Sequence, residues 1–303
     1  MKVAVTGAGG FIGKELLAEL VNMNDVEVLA LTRGSTDNKA SSACTWLRTD
    51  YSAESLADAL EGVDVVCHLA GVRGTEDDPT AFTANLEITK NILAAMRNIG
   101  IRRIIFASSV AVYSGRDPMP WKEDDSTGGY RAYGDSKADC ERAIKDCAEN
   151  GDITYGIARI AQVLGEGETR RGMMNVFLDT ARERGTLRVM GKSIIKRQYI
   201  YVRDLVEVLL KLMVDSGVRE KNLLLNVGMP NAYSNLEIAN LVNEVFENHT
   251  PIDYDDSYPE AGRGFYMDIS RLKEELKYEP LDMREALEDI KQYGNCHDLS
   301  LDR

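Results

Sequence analysis

Apolar and polar positions along the first half of the chain form blocks that predict strands and helices in turn. Residues 3–5, 26–31 and 63–69 are short apolar runs, typical of strands buried on both faces of a parallel sheet. Between the first two runs, apolar residues return every three or four positions, which predicts a helix with one buried face. The apolar positions of this helix are Phe11, Ile12, Leu16, Leu17, Leu20 and Val21.

The same alternation continues to about residue 165 and then weakens. Helical spacing recurs over residues 82–96 and 132–148, and β-rich runs occupy residues 104–107 and 153–160. Strands that alternate with helices predict an α/β fold with a doubly wound parallel sheet. A later apolar run, residues 223–227, predicts one further strand.

The chain length and the charge pattern predict two domains. We expect a first domain over residues 1–165, with a return segment at 198–228, and a smaller C-terminal α/β domain built from residues 166–197 and 229–303. Residues 166–204 hold nine Lys or Arg against five Asp or Glu, although the formal net charge of the whole chain is −13. The second domain therefore offers a basic face to an anionic substrate.

Composition excludes several classes of partner. A net charge of −13 repels polyanions, which argues against nucleic acid and membrane surfaces. No run of about 18 apolar residues and no export signal is evident. The five cysteines show no close pairing, so we predict no metal site. We expect a cytoplasmic protein that acts on a small molecule.

Residues 6–13 read T-G-A-G-G-F-I-G and lie between the first predicted strand and the first predicted helix. In this position Gly7 permits a tight turn, Gly10 lets backbone amides approach a pyrophosphate, and Gly13 lets the helix pack against the sheet. Phe11 and Ile12 belong to the same turn. The motif predicts that residues 1–165 are an NAD(P)-binding domain.

The ends of the next two strands bear on the choice of cofactor. A carboxylate after the second strand would bind the adenosine ribose of NAD, but Thr32 and Arg33 stand there, followed by Ser35. A guanidinium favours a 2′-phosphate, so NADP is the expected cofactor and NAD the alternative. Residues 46–48 form the end of a third predicted strand, and Asp50 after them either contacts the adenine or caps the helix predicted over residues 53–61.

The fourth predicted strand ends in the sequence H-L-A-G. A single histidine in such a strand is more often structural than catalytic, so we assign no chemistry to His68. Leu69, Ala70 and Gly71 follow it at the cofactor edge of the sheet. We expect these three residues to line the cofactor.

Tyr133 and Lys137 lie four residues apart on a predicted helix and therefore share a face. A free tyrosine has a pKa near 10, so a phenol needs a nearby cation to exchange protons at neutral pH. Lys137 supplies that cation and can also hold the nicotinamide ribose. Ser108 and Ser109 follow the fifth predicted strand, and we assign Ser109 to the reacting oxygen. Ser109, Tyr133 and Lys137 predict an alcohol/ketone site.

These motifs resemble those of the extended short-chain dehydrogenase/reductase family, whose members are NAD(P)-dependent nucleotide-sugar epimerases, dehydratases and reductases with a Rossmann domain. The likeness covers nearly the whole chain and includes T-G-x-x-G-x-x-G from Thr6, H-L-A-G from His68 and S-S-x-x-V-Y from Ser108. The resemblance implies a nucleotide-diphosphate sugar as substrate. It also implies a homodimer formed through residues 79–100 and 132–148.

The resemblance implies further site residues. Asn85 matches an asparagine ahead of the family's long helix and is assigned to the cofactor site. Arg197 matches an arginine that contacts the nucleotide diphosphate in relatives, and Arg263 lies close to a second one. Gln162 falls where many epimerases have a substrate-contacting asparagine. The remaining candidates for the anionic substrate are Arg73, Arg159 and Arg171.

Two departures from the family's motifs narrow the range of expected reactions. The family's 4,6-dehydratases carry Asp-Glu after the catalytic hydroxyl and its GDP-sugar epimerase-reductases carry a cysteine there, but this chain has Val110 and Ala111. The expected enzyme is therefore a 4-epimerase or a 4-keto-sugar reductase. The alternatives are a short-chain reductase of a non-sugar ketone or alcohol and a non-catalytic NADP-binding sensor.

Overall fold

The computed structural model describes residues 1–36, 44–74, 78–168, 172–259 and 262–293. The strands in chain order are β1 (Lys2–Thr6), β2 (Glu27–Thr32), β3 (Cys44–Arg48), β4 (Val65–His68), β5 (Arg103–Ser109), β6 (Thr154–Ile160), β7 (Gln162–Leu164), β8 (Arg188–Met190), β9 (Arg197–Tyr201), β10 (Leu223–Val227), β11 (Ala232–Tyr233) and β12 (Asp253–Asp255). The helices are α1 (Phe11–Leu20), α2 (Ala53–Ala59), α3 (Thr83–Ile99), α4 (Ala132–Glu149), α5 (Met173–Arg182), α6 (Val202–Val214), α7 (Asn235–Val245), α8 (Ser270–Leu276) and α9 (Met283–Tyr293). Two short 3-10 helices span Pro79–Phe82 and Val110–Val112.

Seven parallel strands form the main sheet in the order β10-β6-β5-β4-β1-β2-β3. The chain runs outward from β1 to β3 and then returns to continue from β4 on the other side. The strand order therefore reverses between β1 and β4, where open α/β sheets bind ligands at the carboxyl ends of the strands. The predicted doubly wound sheet is confirmed.

Helices cover both faces of the main sheet, which explains why its strands are apolar without alternation. On one face α1, α6 and α8 bury residues such as Leu20, Leu209 and Leu272. On the other face α2, α3 and α4 bury residues such as Leu56 and Ile92. Among the described residues, none of the helices is long and apolar enough to cross a bilayer.

A smaller lobe packs around a third core. Here α5, α7 and α9 bury apolar residues against the three-stranded sheet β11-β9-β7, and β12 pairs with β8 beside them. The chain does not stay in this lobe after residue 166, because β10 joins the edge of the main sheet and α8 packs on its face. A bridge from Arg197 on β9 to Phe265, which packs against the core of the main sheet, connects the lobes further.

Candidate active site

The glycine turn joins β1 to α1 where the strand order reverses. Gly7 has a φ of +67°, and a Cβ there would lie 2.8 Å from the Ala70 amide nitrogen. A Cβ on Gly13 would lie 2.5 Å from the Gly7 carbonyl oxygen, so only glycine lets α1 start this close to the turn. Gly10 precedes α1 without a side-chain cap, which leaves amides of the first turn for an anion. The turn fits the pyrophosphate of a dinucleotide.

The side chains that follow the turn pack into the protein. Phe11 and Ile12 are half-buried. Phe11 packs against the core of the smaller lobe, whereas Ile12 packs against the core on the α1 face of the main sheet. Any contribution to cofactor binding therefore falls to their backbone amides, and the predicted role of Phe11 and Ile12 stays a prediction.

Tyr51, a residue that sequence reasoning missed, supports the glycine turn from below. The Gly7 amide donates to the Tyr51 hydroxyl at 3.0 Å, and this hydroxyl donates to the Leu31 carbonyl at 3.2 Å. Tyr51 is buried at a φ of +64°, which is unusual for a bulky residue. Burial raises the pKa of its phenol. No sequence pattern marks this role.

The ends of β2 and β3 lie side by side. Thr32 pairs in register with Arg48, and the Thr32 hydroxyl accepts from the Gly34 amide at 3.1 Å. Arg33 and Ser35 follow, and both are exposed, as is Arg48. Two arginines thus stand at adjacent strand ends, at the position where a carboxylate would favour NAD.

Asp50 is exposed after β3, and its carboxylate accepts from the Ser52 amide at 2.9 Å. This hydrogen bond lowers the pKa of the Asp50 carboxyl. Ser52 is the residue that caps α2, because its hydroxyl accepts from the Ser55 amide. The capping alternative for Asp50 is therefore wrong, and its contact with adenine stays a prediction.

A buried chain of hydrogen bonds joins the ends of β1 and β4. The Thr6 hydroxyl oxygen accepts from the amides of Leu69 and Ala70, both at 3.1 Å, so its own proton goes to His68 Nδ1 at 2.9 Å. His68 Nε2 then donates to the Thr89 hydroxyl at 3.1 Å, which fixes a neutral ring. Burial lowers the pKa of His68 to about 3. His68 is structural and holds residues 69–71 beside the glycine turn.

Asn85 locks the segment after β4 against α4. Its side-chain oxygen accepts from the Val72 amide at 2.6 Å, and its side-chain nitrogen donates to the Val72 carbonyl at 3.0 Å and to the Ser136 hydroxyl at 3.1 Å. A Cβ on Gly71 would lie 3.2 Å from Asn85 and 3.5 Å from Lys137 Nζ. Asn85 therefore shapes the predicted cofactor site by placing this segment.

Lys137 lies beside the carboxyl end of β5, the strand that ends at Ser109. Lys137 is buried, and its Nζ donates to the Ala107 carbonyl at 2.8 Å. Ser109 is the last residue of the same strand and is half-buried, with its hydroxyl accepting from the Ala111 amide at 3.2 Å. The structure therefore brings the ammonium next to the strand that carries the predicted reacting hydroxyl.

Tyr133 lies in the first turn of α4, four residues before Lys137. Its half-buried ring packs edge-on against Phe82, with 5.6 Å between ring centres. Gly134 brings this turn close to the 3-10 helix after β5, because a Cβ at position 134 would lie 2.0 Å from the Ala111 carbonyl oxygen. Sequence reasoning missed Gly134, although a glycine inside a helical pattern signals a packing reason.

Behind these residues lies a buried cluster of Ser108, Glu141 and Arg159, each at most 4% exposed. The Ser108 hydroxyl donates to Glu141 Oε1 at 2.5 Å. Arg159 donates through Nε at 3.0 Å and through Nη2 at 2.8 Å to the same carboxylate, and through Nη1 to the Glu123 carbonyl at 2.9 Å. The hypothesis that Arg159 contacts the substrate is wrong, because its guanidinium is committed to buried partners.

Arg73 forms an ion pair across two segments. Its Nη2 donates to both carboxylate oxygens of Glu168 at 2.9 Å. The pair connects the segment after β4 with the segment after β7. The Arg73 side chain is 53% exposed, so its predicted contact with the substrate stays open.

Gln162 and Arg197 stand on neighbouring strands of the smaller lobe. Gln162 is exposed on β7 and pairs in register with Tyr199, two residues after Arg197 on β9. Arg197 is half-buried at the start of β9, and the predicted substrate contacts of Gln162 and Arg197 stay predictions. Arg171, a further candidate for the anionic substrate, lies outside the described residues.

The Arg263 side chain contacts the segment that follows Ser109. It donates to the Tyr113 carbonyl at 2.8 Å and to the Ser114 carbonyl at 3.2 Å. Its guanidinium lies 3.5 Å from the centre of the Tyr130 ring. Partial burial lowers the pKa of Arg263. The structure directs this arginine to backbone carbonyls, and its predicted contact with a diphosphate stays a prediction.

This fold and site are those of a nicotinamide-dependent enzyme, since a glycine turn typical of dinucleotide binding lies in the same sheet as Ser109 at the end of β5, and α4 carries a phenol and an ammonium. Residues 3–228 match the model of the NAD dependent epimerase/dehydratase family. The chain belongs to this family, within the extended short-chain dehydrogenases/reductases. The predicted family is confirmed.

Similar proteins act on nucleotide sugars. The chain is 27% identical to a putative UDP-glucose 4-epimerase of Methanocaldococcus jannaschii over 95% of this chain and 96% of that protein. It is 25% identical to the dTDP-4-dehydro-6-deoxyglucose reductase of Escherichia coli over 92% of each. The crystal structure of UDP-N-acetylglucosamine 4-epimerase from Bacillus cereus superposes with a TM-score of 0.85 at 27% identity, covering 98% of this chain and 97% of that one.

Proposed function

We propose that the protein transfers a hydride at C4 of a nucleotide-diphosphate sugar, as a 4-epimerase or a 4-keto-sugar reductase. One observation carries the proposal: Lys137 Nζ donates to the Ala107 carbonyl, two residues before Ser109 on β5, and Tyr133 lies one helical turn before Lys137 on α4. The nicotinamide cofactor supplies the hydride chemistry when bound. The protein's own side chains orient the sugar and move the proton.

The three side chains have separate tasks in this proposal. Tyr133 exchanges a proton with the sugar oxygen, and Lys137 places a positive charge near the phenol and holds the nicotinamide ribose. Ser109 binds the reacting oxygen from the β5 side. Tyr133→Phe should lower turnover by about 10²–10⁴-fold while NADP binding changes little. Unchanged turnover with every accepted substrate would contradict the role of Tyr133.

The smaller lobe supports an anionic substrate. Arg197 begins β9 near Gln162, within the basic segment 166–204, and the similar proteins named above act on UDP- and dTDP-sugars. Titrating UDP-, GDP- and dTDP-sugars by calorimetry in the presence of NADP tests this directly. Arg197→Met should weaken the best ligand by about tenfold or more, whereas Arg219→Met, an exposed control far along the chain, should not. Binding no better than that of the free sugar would sink the proposal.

NADP is the proposed cofactor, although the family is named for NAD. Arg33 follows Thr32 where NAD enzymes carry a carboxylate, and Arg48 stands in register at the end of the neighbouring strand. The ligands 2′,5′-ADP and 5′-AMP differ only in the 2′-phosphate. We expect at least about tenfold tighter binding of 2′,5′-ADP, with the preference reduced in Arg33→Ala and Arg48→Ala. Equal affinity of the wild type for both would assign NAD instead.

The cofactor evidence favours the reductase over the epimerase. A reductase releases oxidised cofactor in each turnover, whereas an epimerase returns the hydride and keeps its cofactor. Oxidation of NADPH by a nucleotide 4-keto-sugar, followed at 340 nm, would establish the reductase. Tightly held cofactor with no net absorbance change would establish the epimerase. Oxidation only with non-sugar ketones would point to a different branch of the family.

A homodimer is also proposed, on the resemblance to the family. The helices concerned, α3 and α4, lie on the same face of the main sheet. Sedimentation at twice the mass of one chain would support the dimer, and a monomer at micromolar concentration would contradict it. The cytoplasmic location stays a prediction.

A further inference from the structure

We propose that Ser108, Glu141 and Arg159 position the catalytic pair of α4 against the end of β5. The inference rests on the proposed function, because it concerns where Tyr133 and Lys137 stand relative to Ser109. None of the three residues is proposed to touch substrate or cofactor. They act through the placement of the helix.

The first turn of α4, which carries Tyr133, has no side-chain cap to fix its position, since Arg131 at the N-cap makes no capping bond. Packing on Phe82 and the close approach of Gly134 to Ala111 hold this turn, and hydrogen bonds to β5 come from the later turns. Lys137 and Glu141 follow Tyr133 at intervals of four residues, so all three share one side of the helix. Lys137 is tied to the Ala107 carbonyl at 2.8 Å, and Glu141 is tied to Ser108 at 2.5 Å.

Arg159 makes this attachment directional. Its planar fork on β6 meets the Glu141 carboxylate through Nε and Nη2, at 3.0 and 2.8 Å, while Ser108 on β5 binds one oxygen of the same group. The cluster therefore joins α4, β5 and β6 at one buried point, directly before Ser109 in the sequence. A fork–carboxylate pair fixes orientation as well as distance.

A gain in folding stability does not by itself explain why such a cluster is buried here. A buried ion pair contributes little net stability compared with an apolar pair of similar size, because both charges lose their hydration. Placement matters more here, since a shift of about 1 Å at a reacting group can cost about 10²-fold in rate. The cluster is built to prevent such a shift of Tyr133.

Two charge-conserving variants test the inference. Arg159→Lys keeps the cation but loses the planar fork, and Ser108→Ala removes the hydroxyl while the ion pair remains. Neither leaves the Glu141 carboxylate without a cation, so both should fold, which thermal unfolding checks. Lys145→Gln is the matched control, because Lys145 lies 3.9 Å from the same carboxylate on a more exposed part of α4.

The first readout needs no substrate. In protein labelled with ¹³C at the tyrosine ring, the Tyr133 signal is assigned by its loss in Tyr133→Phe, and its shift on adding NADP⁺ reports the position of the ring relative to the cofactor. We expect a clear shift in the wild type and in Lys145→Gln. Arg159→Lys and Ser108→Ala should shift less and give a broader signal.

The second readout is steady-state turnover at a temperature where every variant is folded. We expect kcat to fall by about 10- to 100-fold in Arg159→Lys and less in Ser108→Ala, with KM and the Kd of NADP⁺ within about twofold of wild type. Wild-type shifts and turnover in both variants would overturn the inference. If neither NADP⁺ nor NAD⁺ shifts the Tyr133 signal even in the wild type, the proposed function fails instead.

Discussion

Replacing Gly134 by alanine tests how closely α4 approaches the end of β5. A Cβ at this position would lie 2.0 Å from the Ala111 carbonyl oxygen and 2.8 Å from its carbonyl carbon. Close carbon–oxygen contacts in proteins are about 3.3 Å, so α4 or the 3-10 helix would have to move by about 1.3 Å. The obstructing atoms are backbone, so no side-chain rotation can relieve the contact.

Two effects of the substitution oppose each other. Alanine stabilises a helix interior by about 1 kcal/mol relative to glycine. Overpacking against a fixed backbone costs about 1–3 kcal/mol or more, and the severe overlap at Gly134 favours the upper part of that range. We therefore expect a net loss of about 1–2 kcal/mol. For a chain of this size that loss corresponds to a fall of about 2–8 °C in the unfolding midpoint.

The effect on turnover should exceed the effect on stability. Tyr133 adjoins the substituted residue, and a displacement near 1 Å would reduce kcat by about 10²-fold. Thermal unfolding by circular dichroism and turnover with the best nucleotide sugar measure the two effects. Gly172→Ala is the control, because among the described residues the atom nearest to a Cβ there is Asn175 Oδ1, at 3.9 Å. Wild-type unfolding and turnover in Gly134→Ala would refute the close approach.

Three further predictions concern residues around the glycine turn and the end of β4. Tyr51→Phe should destabilise the fold by about 1–3 kcal/mol and weaken NADP binding, since the part-buried Gly7 amide loses its acceptor. Urea unfolding measures the first effect and calorimetry the second. Unchanged values would contradict the role of Tyr51 in supporting the glycine turn. The pKa of His68 is about 3 in the folded chain against 6.5 ordinarily, so only the unfolded chain takes up this proton between those values. The contribution of His68 to the free energy of unfolding is complete above pH 6.5 and falls by up to about 1.4 kcal/mol per pH unit as the pH drops. In His68→Asn, the free energy of unfolding should therefore depend less on pH between 6.5 and 5. Arg73→Met should change the unfolding free energy by less than about 1 kcal/mol, because the ion pair with Glu168 is largely exposed at the arginine, and a larger loss in urea would show that the pair holds the lobes together.

Features encoded in short stretches of sequence were predictable. The glycine turn depends on residues within one strand–turn–helix unit, and Tyr133 and Lys137 meet because they are one helical turn apart. The strands of the main sheet were predictable for a similar reason, since burial on both faces removes polar positions locally. The family resemblance added the substrate class that these patterns do not contain.

Features that depend on distant partners were not predictable. Arg159 looked like a substrate ligand because nothing in the sequence shows that Glu141, 18 residues earlier, would enclose its guanidinium. The partners of Arg263 are almost 150 residues away in the chain. Tyr51 supports Gly7 across 44 residues without any local motif. In each case the tertiary fold chooses the partner of a polar group.

The late return of the chain to the main sheet affects its synthesis. Strand β10 covers the edge of β6, and α8 covers one face, yet both come from residues 223–276. A ribosome adding about 5–20 residues per second needs several seconds to make this stretch after residue 222. During that interval the nascent chain presents the open hydrogen-bonding edge of β6, which can pair with a strand of another chain. We therefore expect nascent chains of this length to be the stage most prone to pairing with another chain.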